Sequence, residues 1–252
     1  MSYCVLFPLT SNRLLLLQQA FALAKKKIGS GPNIKKLEVN NARLVYFEKW
    51  EIEGLIPHLP EDLQDFTRFA FLTGMRHSEI ASLRWREYNK SAETLILRAE
   101  YSKNGEPRII PLVGALATLI ERRSQARTFE GPKGETCIAE KVFFRKGGRD
   151  TGDFKKAFKS ACEAAGLKYG RKVEGGKTFH DTRRSAATNM SRAGVPREVA
   201  KKVTGHKTDI MYTRYRIVED SDIREGLQRT EEYLKSLPDI GNIVSFRKAE
   251  VR

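Results

Sequence analysis

Six side chains in this sequence are of the types that work on a phosphodiester: Arg76, Lys103, His180, Arg183, His206 and Tyr215. His180 and Arg183 stand three apart in His-Asp-Thr-Arg. On a helix that spacing puts both on one face, where they can address one ligand. Arg184 is turned about 100° further around such a helix, and is expected to face solvent or a nucleic-acid backbone. His206 lies in the turn beyond Thr204-Gly205, and Tyr215 follows nine residues later in Met-Tyr-Thr-Arg-Tyr-Arg. Upstream, Arg76 follows Gly74-Met75 at the start of a helical pattern. Glu79, one turn on, is placed to hold its guanidinium. Lys103 adjoins Asn104-Gly105, a tight-turn signal that would project its ammonium outward. Taken singly, each has a plainer reading: a surface Arg–Glu pair, a solubilising lysine, a structural histidine, a core tyrosine.

Together they suit one reaction. Phosphoryl transfer at a phosphodiester needs an in-line nucleophile, neutralisation of two non-bridging oxygens and a proton for the leaving oxygen. Arginines supply forked, charge-assisted donors to phosphate oxygens. Histidines take up the nucleophile's proton or donate to the phosphate. A tyrosine forms a covalent phosphoester that preserves the bond energy for resealing, and a lysine protonates the departing 5′ oxygen. No cofactor or metal is required by this set, and none is expected.

The charge balance points the same way. Lysine plus arginine number 46 against 31 acidic residues, a net charge of +15, and the pI is about 9.8. Such a surplus favours a polyanionic partner, of which nucleic acid is the commonest large one. Cys4, Cys137 and Cys162 are far apart and form no ligand pattern. They read as small buried apolar residues in a reducing compartment. No run approaches the roughly 18 apolar residues of a membrane span, and the N-terminus lacks the pattern of a secretion signal. A cytoplasmic protein with no membrane partner is expected.

The elements that must carry these residues are mostly helical. Leu14, Leu17, Phe21, Ala24 and Ile28 form a stripe at helical spacing over 11–28, closed by three lysines and a Gly/Pro break. After a polar stretch, helices are expected over 60–74 and 76–83. Strands at 94–98 and 108–111 flank the Asn104-Gly105 turn. A helix over 114–127 and a short strand at 141–144 follow. Helices at 151–166, 179–194, 196–204, 209–215 and 222–237 complete the pattern. The fold class expected is mainly α with a small antiparallel β-sheet (α+β).

Four segments, TGMRHSEI, YSKNGEPRIIPL, FHDTRRSAATNMSRAG and VTGHKTDIMYTRYR, resemble in order and spacing the motifs of the tyrosine recombinase, or phage integrase, family. The resemblance covers about residues 42–237. It implies a catalytic domain of that family at 42–237 and a residual core-binding helix and linker at 1–41, while the residues from Pro238 on read by themselves as a basic C-terminal tail, 238–252. Carried over by position, it makes Arg76 and Arg183 the catalytic arginines, Lys103 the hairpin lysine, His180 and His206 the catalytic histidines, and Tyr215 the nucleophile. Tyr212 is the one nearby rival, and the general base is left open between His180 and His206. The implied activity is site-specific cleavage and rejoining of double-stranded DNA through a 3′-phosphotyrosyl intermediate, by a homotetramer on DNA with accessory DNA-bending proteins. The segment 217–234 resembles the helical end that docks on a neighbouring subunit in that family. Two other readings use the same residues: a non-catalytic DNA-binding remnant, and a type IB topoisomerase-like relaxing enzyme.

Overall fold

The computed structural model describes residues 11–29 and 44–237, which belong to two separate compact units divided after Arg43. In the first unit, α1 (Ser11–Ile28) is the expected helix. Leu16, Leu17 and Leu23 on it are exposed. Cys4 and the basic tail at 238–252 lie outside the described residues.

The second unit opens with a helix that the pattern did not mark, α2 (Lys49–Leu55), closed at its N-terminus by a Glu48–Glu51 capping box. Next comes α3 (Glu61–Thr73). Its stripe of Leu63, Phe66, Phe69 and Ala70 is wholly buried, as the helical spacing requires. Gly74 ends α3 in the left-handed conformation, φ +64, and its N–H bonds to the Ala70 carbonyl at 2.8 Å. Then α4 (His77–Ala81) begins one residue later than expected, with Arg76 extended as its N-cap.

The sheet is built from β1 (Tyr88–Asn89), β2 (Thr94–Leu97) and β3 (Arg108–Pro111), antiparallel in the order β1-β2-β3. Leu95 pairs with Ile110 and Leu97 with Arg108. Leu95 and Leu97 face the core while Ile96 is exposed, the two-residue alternation of a one-sided sheet. The sheet is followed by α5 (Ala115–Gln125) and by a hairpin absent from the expected elements, β4 (Thr128–Glu130) with β5 (Thr136–Ile138). Cys137, expected buried, is only half-buried on β5, whereas Cys162 is buried.

The strand expected at 141–144 does not form. Lys141 makes a single bridge to Arg84, and Val142, Phe143 and Phe144 are buried in irregular chain. The Val142 backbone is satisfied by a loop and a side chain: its N–H donates to the Leu83 carbonyl, and its carbonyl accepts from Arg123 Nε. An apolar run of this length reports burial without reporting a ladder.

The remaining helices are α6 (Lys155–Ala164), α7 (Thr182–Arg192), α8 (Arg197–Thr204), α9 (Asp209–Thr213) and α10 (Asp220–Ser236). Thus 151–154, expected in the helix over 151–166, precedes α6. Phe66 lies at the centre of an aromatic core, edge-on to Phe143 and Phe154 at 5.6 and 5.5 Å. The helix α7 packs beside α3, and Gly74 permits the approach. A Cβ there would meet Ala186 Cβ at 2.9 Å and Thr204 Cγ2 at 3.1 Å. The architecture is mainly helical with a small antiparallel sheet, as expected.

Candidate active site

The site begins where α3 stops. Past Gly74 the chain turns so that Arg76 caps α4, and its Nη1 donates to Glu79 Oε1 at 2.8 Å. The Arg76 amide donates to the other carboxylate oxygen at 3.1 Å. A second arginine reaches the same carboxylate from β3: Arg108 Nη2 donates to Glu79 Oε2 at 2.5 Å. Glu79 is wholly buried. Burial alone would raise its carboxyl, but Arg108 and Arg76 outweigh it and hold the group below the usual carboxylate range.

Arg108 also fastens the sheet to the end of α8, donating through Nη1 to the Val203 carbonyl at 3.2 Å. It lies over Gly205, where a Cβ would fall 2.1 Å from Arg108 Nη1. The turn between β2 and β3 is tied down as well, since Asn104 Nδ2 donates to the Gly205 carbonyl at 2.9 Å. Lys103, next to Asn104, is exposed. The turn that carries Lys103 is thereby tied to the residue before His206.

His180 sits in a 3-10 turn, Phe179–Asp181, ahead of α7. The Thr178 amide and hydroxyl both donate to Asp181 Oδ2 at 2.8 Å and hold that turn. His180 Nε2 is 2.9 Å from the Tyr215 hydroxyl. Burial, reinforced by Arg183 and opposed by Asp181, pushes the His180 imidazole down to about 4. At neutral pH it is uncharged and holds a lone pair.

Arg183 is 1% exposed, and its Nη1 donates to the Gly74 and Thr204 carbonyls. Its guanidinium therefore joins the end of α3, the end of α8 and α7 at one point. Burial lowers it from the ordinary arginine range. His206, buried after Gly205, has Nδ1 2.7 Å from Thr204 Oγ1. Its Nε2 is buried and has no hydrogen-bond partner among the described residues. Burial, then the charges of Arg183, Arg76 and Arg108, push this imidazole down to about 2.

The Tyr215 ring closes the cluster. Its centre is 4.7 Å from that of His206 and 5.6 Å from that of His180. The guanidiniums of Arg183 and Arg184 lie 5.4 and 5.2 Å from it. Tyr212, the rival, is buried with its hydroxyl committed to the Ala187 carbonyl at 3.2 Å. Arg184 departs from expectation: it is 8% exposed and donates to the Arg214 carbonyl at 2.9 Å. The physical reason is that α7 is covered on nearly every side from Thr182 to Thr188. Rotation around it leads to another packed segment and not to solvent.

Thus Arg76, His180, Arg183, His206 and Tyr215 converge, and Lys103 is exposed on the turn that Asn104 ties to Gly205. Arg108 and Thr204 are neighbours that spacing did not single out, and Arg184 packs inward against the chain that carries the tyrosine. For Arg108 a signal existed: a cation directly opposite Leu97 in a register that buries Leu95 and Leu97. A cavity of about 540 Å³, lined by His77, Phe154, Phe158, Tyr169 and Phe179, opens beside the cluster and shares only His180 with it. Among the described residues no group of acidic, histidine and cysteine side chains is arranged to hold a metal ion, and no helix is long and apolar enough to cross a membrane.

Residues 47–221, which carry every one of these side chains, match the phage integrase family. The chain belongs to that family. It is 22% identical to the integrase of Salmonella phage P22 over 228 residues, 86% of this chain and 55% of that one. It is 29% identical to the integrase of Escherichia phage HK022 over 203 residues, 77% and 53% of the two chains. This integrase-family chain thus spans about half the length of the curated relatives it matches. Among solved structures, a lambda integrase tetramer bound to a Holliday junction superimposes with a TM-score of 0.64 at 19% identity, over 81% of this chain and 58% of that one. That likeness establishes the fold.

Proposed function

We propose that this chain is a site-specific DNA recombinase, an integrase that cleaves and rejoins strands through a 3′-phosphotyrosyl bond at Tyr215. The observation that carries the reading is the 2.9 Å contact between the Tyr215 hydroxyl and His180 Nε2 inside a cluster of buried arginines. In the proposed step the Tyr215 oxygen bonds phosphorus as the P–O5′ bond breaks. The phenolic proton passes to His180, whose uncharged ring lies within proton-transfer reach. Lys103 gives a proton to the 5′ oxygen, and Arg76 and Arg183 neutralise the non-bridging oxygens. His206 completes the phosphate pocket. The reverse sequence reseals the strand, with the 5′ hydroxyl as nucleophile and the tyrosine as leaving group.

The net charge of +15 supports double-stranded DNA as partner. The proposal includes a homotetramer on DNA, accessory DNA-bending proteins and a cytoplasmic site of action. It also assigns 42–237 to catalysis, 1–41 to a residual core-binding helix with its linker, and 238–252 to a basic tail.

The test is covalent capture. The full chain is incubated with a pool of nicked duplexes randomised around the nick, and adducts are resolved on a denaturing gel. An adduct formed by wild type and lost in Tyr215→Phe supports the reading. DNA binding with no adduct from any duplex counts against it and favours a binding remnant. Relaxation of supercoiled plasmid without site preference would favour the topoisomerase-like alternative.

A further inference from the structure

Arg183 and Arg184 are adjacent, both buried, and hold different things. Arg183 joins the ends of α3 and α8. Arg184 turns to the chain that carries the tyrosine: Nη1 donates to the carbonyl of Arg214, the residue before Tyr215, at 2.9 Å. Its Nε is 3.4 Å from Asp181 Oδ1, while Asp181 Oδ2 caps the turn carrying His180. One carboxylate thus serves both the His180 turn and Arg184. The Arg184 guanidinium also lies 5.2 Å from the Tyr215 ring centre, within cation–π range.

Two further bonds from α7 hold the same stretch. The Ala187 carbonyl accepts from the Tyr212 hydroxyl at 3.2 Å, and Thr188 Oγ1 accepts from the Ile217 amide at 3.1 Å. Positions 184, 187 and 188 have the spacing of one helical face. The three bonds reach the chain on both sides of Tyr215, and Arg184 makes the one adjacent to it. A buried cation is retained where its bonds and charge are answered. Here a bond is answered by the segment that carries the hydroxyl, and the charge by Asp181.

We propose that Arg184 is a positioning residue for Tyr215: it fixes the tyrosine's backbone through the Arg214 carbonyl and its ring by stacking, so that the hydroxyl stays within reach of His180. It acts on the nucleophile and not on the phosphate. The proposal rests on the recombinase reading above, and its test separates the two.

Arg184→Ala is compared with wild type on a nicked duplex recovered by covalent capture, at saturating DNA. Adduct formation falls about 10²-fold, the scale of a misplacement near 1 Å, while DNA affinity holds. Arg184→Lys, which keeps the charge and a donor, recovers part of the rate. The deciding arm uses the Tyr215→Phe background with hydrogen peroxide as nucleophile. A peroxide oxygen bonds phosphorus as the P–O5′ bond breaks, and the 5′ oxygen leaves with a proton. With no tyrosine hydroxyl to place, adding Arg184→Ala leaves this cleavage unchanged. Equal slowing in both arms overturns the proposal, because it puts Arg184 on the phosphate or in the general fold. An unslowed Arg184→Ala overturns it too.

If wild type captures no duplex, the recombinase reading fails, and amide exchange still judges Arg184. Peptides over 212–217 exchange faster in Arg184→Ala while those over 182–192 do not. Equal exchange in the two proteins is the contrary result.

Discussion

The Tyr215 hydroxyl and His180 Nε2 meet at 2.9 Å although 35 positions separate them in the chain. His180 is set by the capped turn before α7, and Tyr215 by α9 packing back on α7. One helix therefore fixes both partners, and the contact is made within a single chain.

The two tyrosines of the Met-Tyr-Thr-Arg-Tyr-Arg segment should separate cleanly on substitution. Tyr215→Phe abolishes covalent capture and leaves thermal stability near wild type. Tyr212→Phe keeps capture but removes the buried bond to Ala187, costing about 1 kcal/mol. A melting curve reads that loss as a drop of roughly 2–4 °C. Capture lost in Tyr212→Phe and retained in Tyr215→Phe would reverse the assignment.

A base must be unprotonated to accept the phenolic proton. His180, pushed down to about 4, should therefore keep cleavage active well below the ordinary histidine range. The acid limb of kcat/KM, which reports the free protein, is expected near 4. A limb at the unperturbed value near 6.5 would take His180 out of the role of base.

Glu79 answers both Arg76 and Arg108. Glu79→Gln leaves two guanidiniums without their counter-charge, and breaking a buried pair costs about 3–5 kcal/mol. Its carboxyl titrates lower in the folded chain than the ordinary glutamate value of 4.5. The stabilisation is therefore full above that pH and fades as the pH falls through the lower folded value. Urea denaturation of wild type and Glu79→Gln should show a gap at pH 7 that narrows progressively below 4.5. A gap independent of pH would show that the carboxylate's charge is not what stabilises the cluster.

Gly74 combines φ +64 with a Cβ position 2.9 Å from Ala186 Cβ. Gly74→Ala is expected to cost about 1–3 kcal/mol from strain and overpacking. Because the Gly74 carbonyl accepts from Arg183, the shift also disturbs the site. Covalent capture should slow even at temperatures where the variant is fully folded. Full-rate capture by the folded variant would mean that the α3–α7 approach matters to stability alone.

Short-range order was written in the residues themselves. The His180–Arg183 pair, the Glu79 hold on Arg76, the Gly205 stop before His206 and the Asn104-Gly105 turn all depend on spacings of one to four residues. Backbone geometry sets what such spacings mean, so helical period and turn chemistry suffice to read them. The mainly helical class with a small antiparallel sheet was legible for the same reason, and the ordered motifs marked the family. The uncovered remainder involves chain that folds back from afar. Arg108 meets Glu79 across 29 positions, and the strand expected at 141–144 packs as irregular core because loops, not a strand, lie beside it. Arg184 turns inward because α9 and the Arg214 segment cover that side of α7. Tyr212 loses its hydroxyl to Ala187 while Tyr215 keeps its own for His180, because Tyr212 lies on α9 against α7 and Tyr215 lies in the turn beyond it. Periodicity assigns a side chain to a face of its own helix, and only packing decides what that face meets.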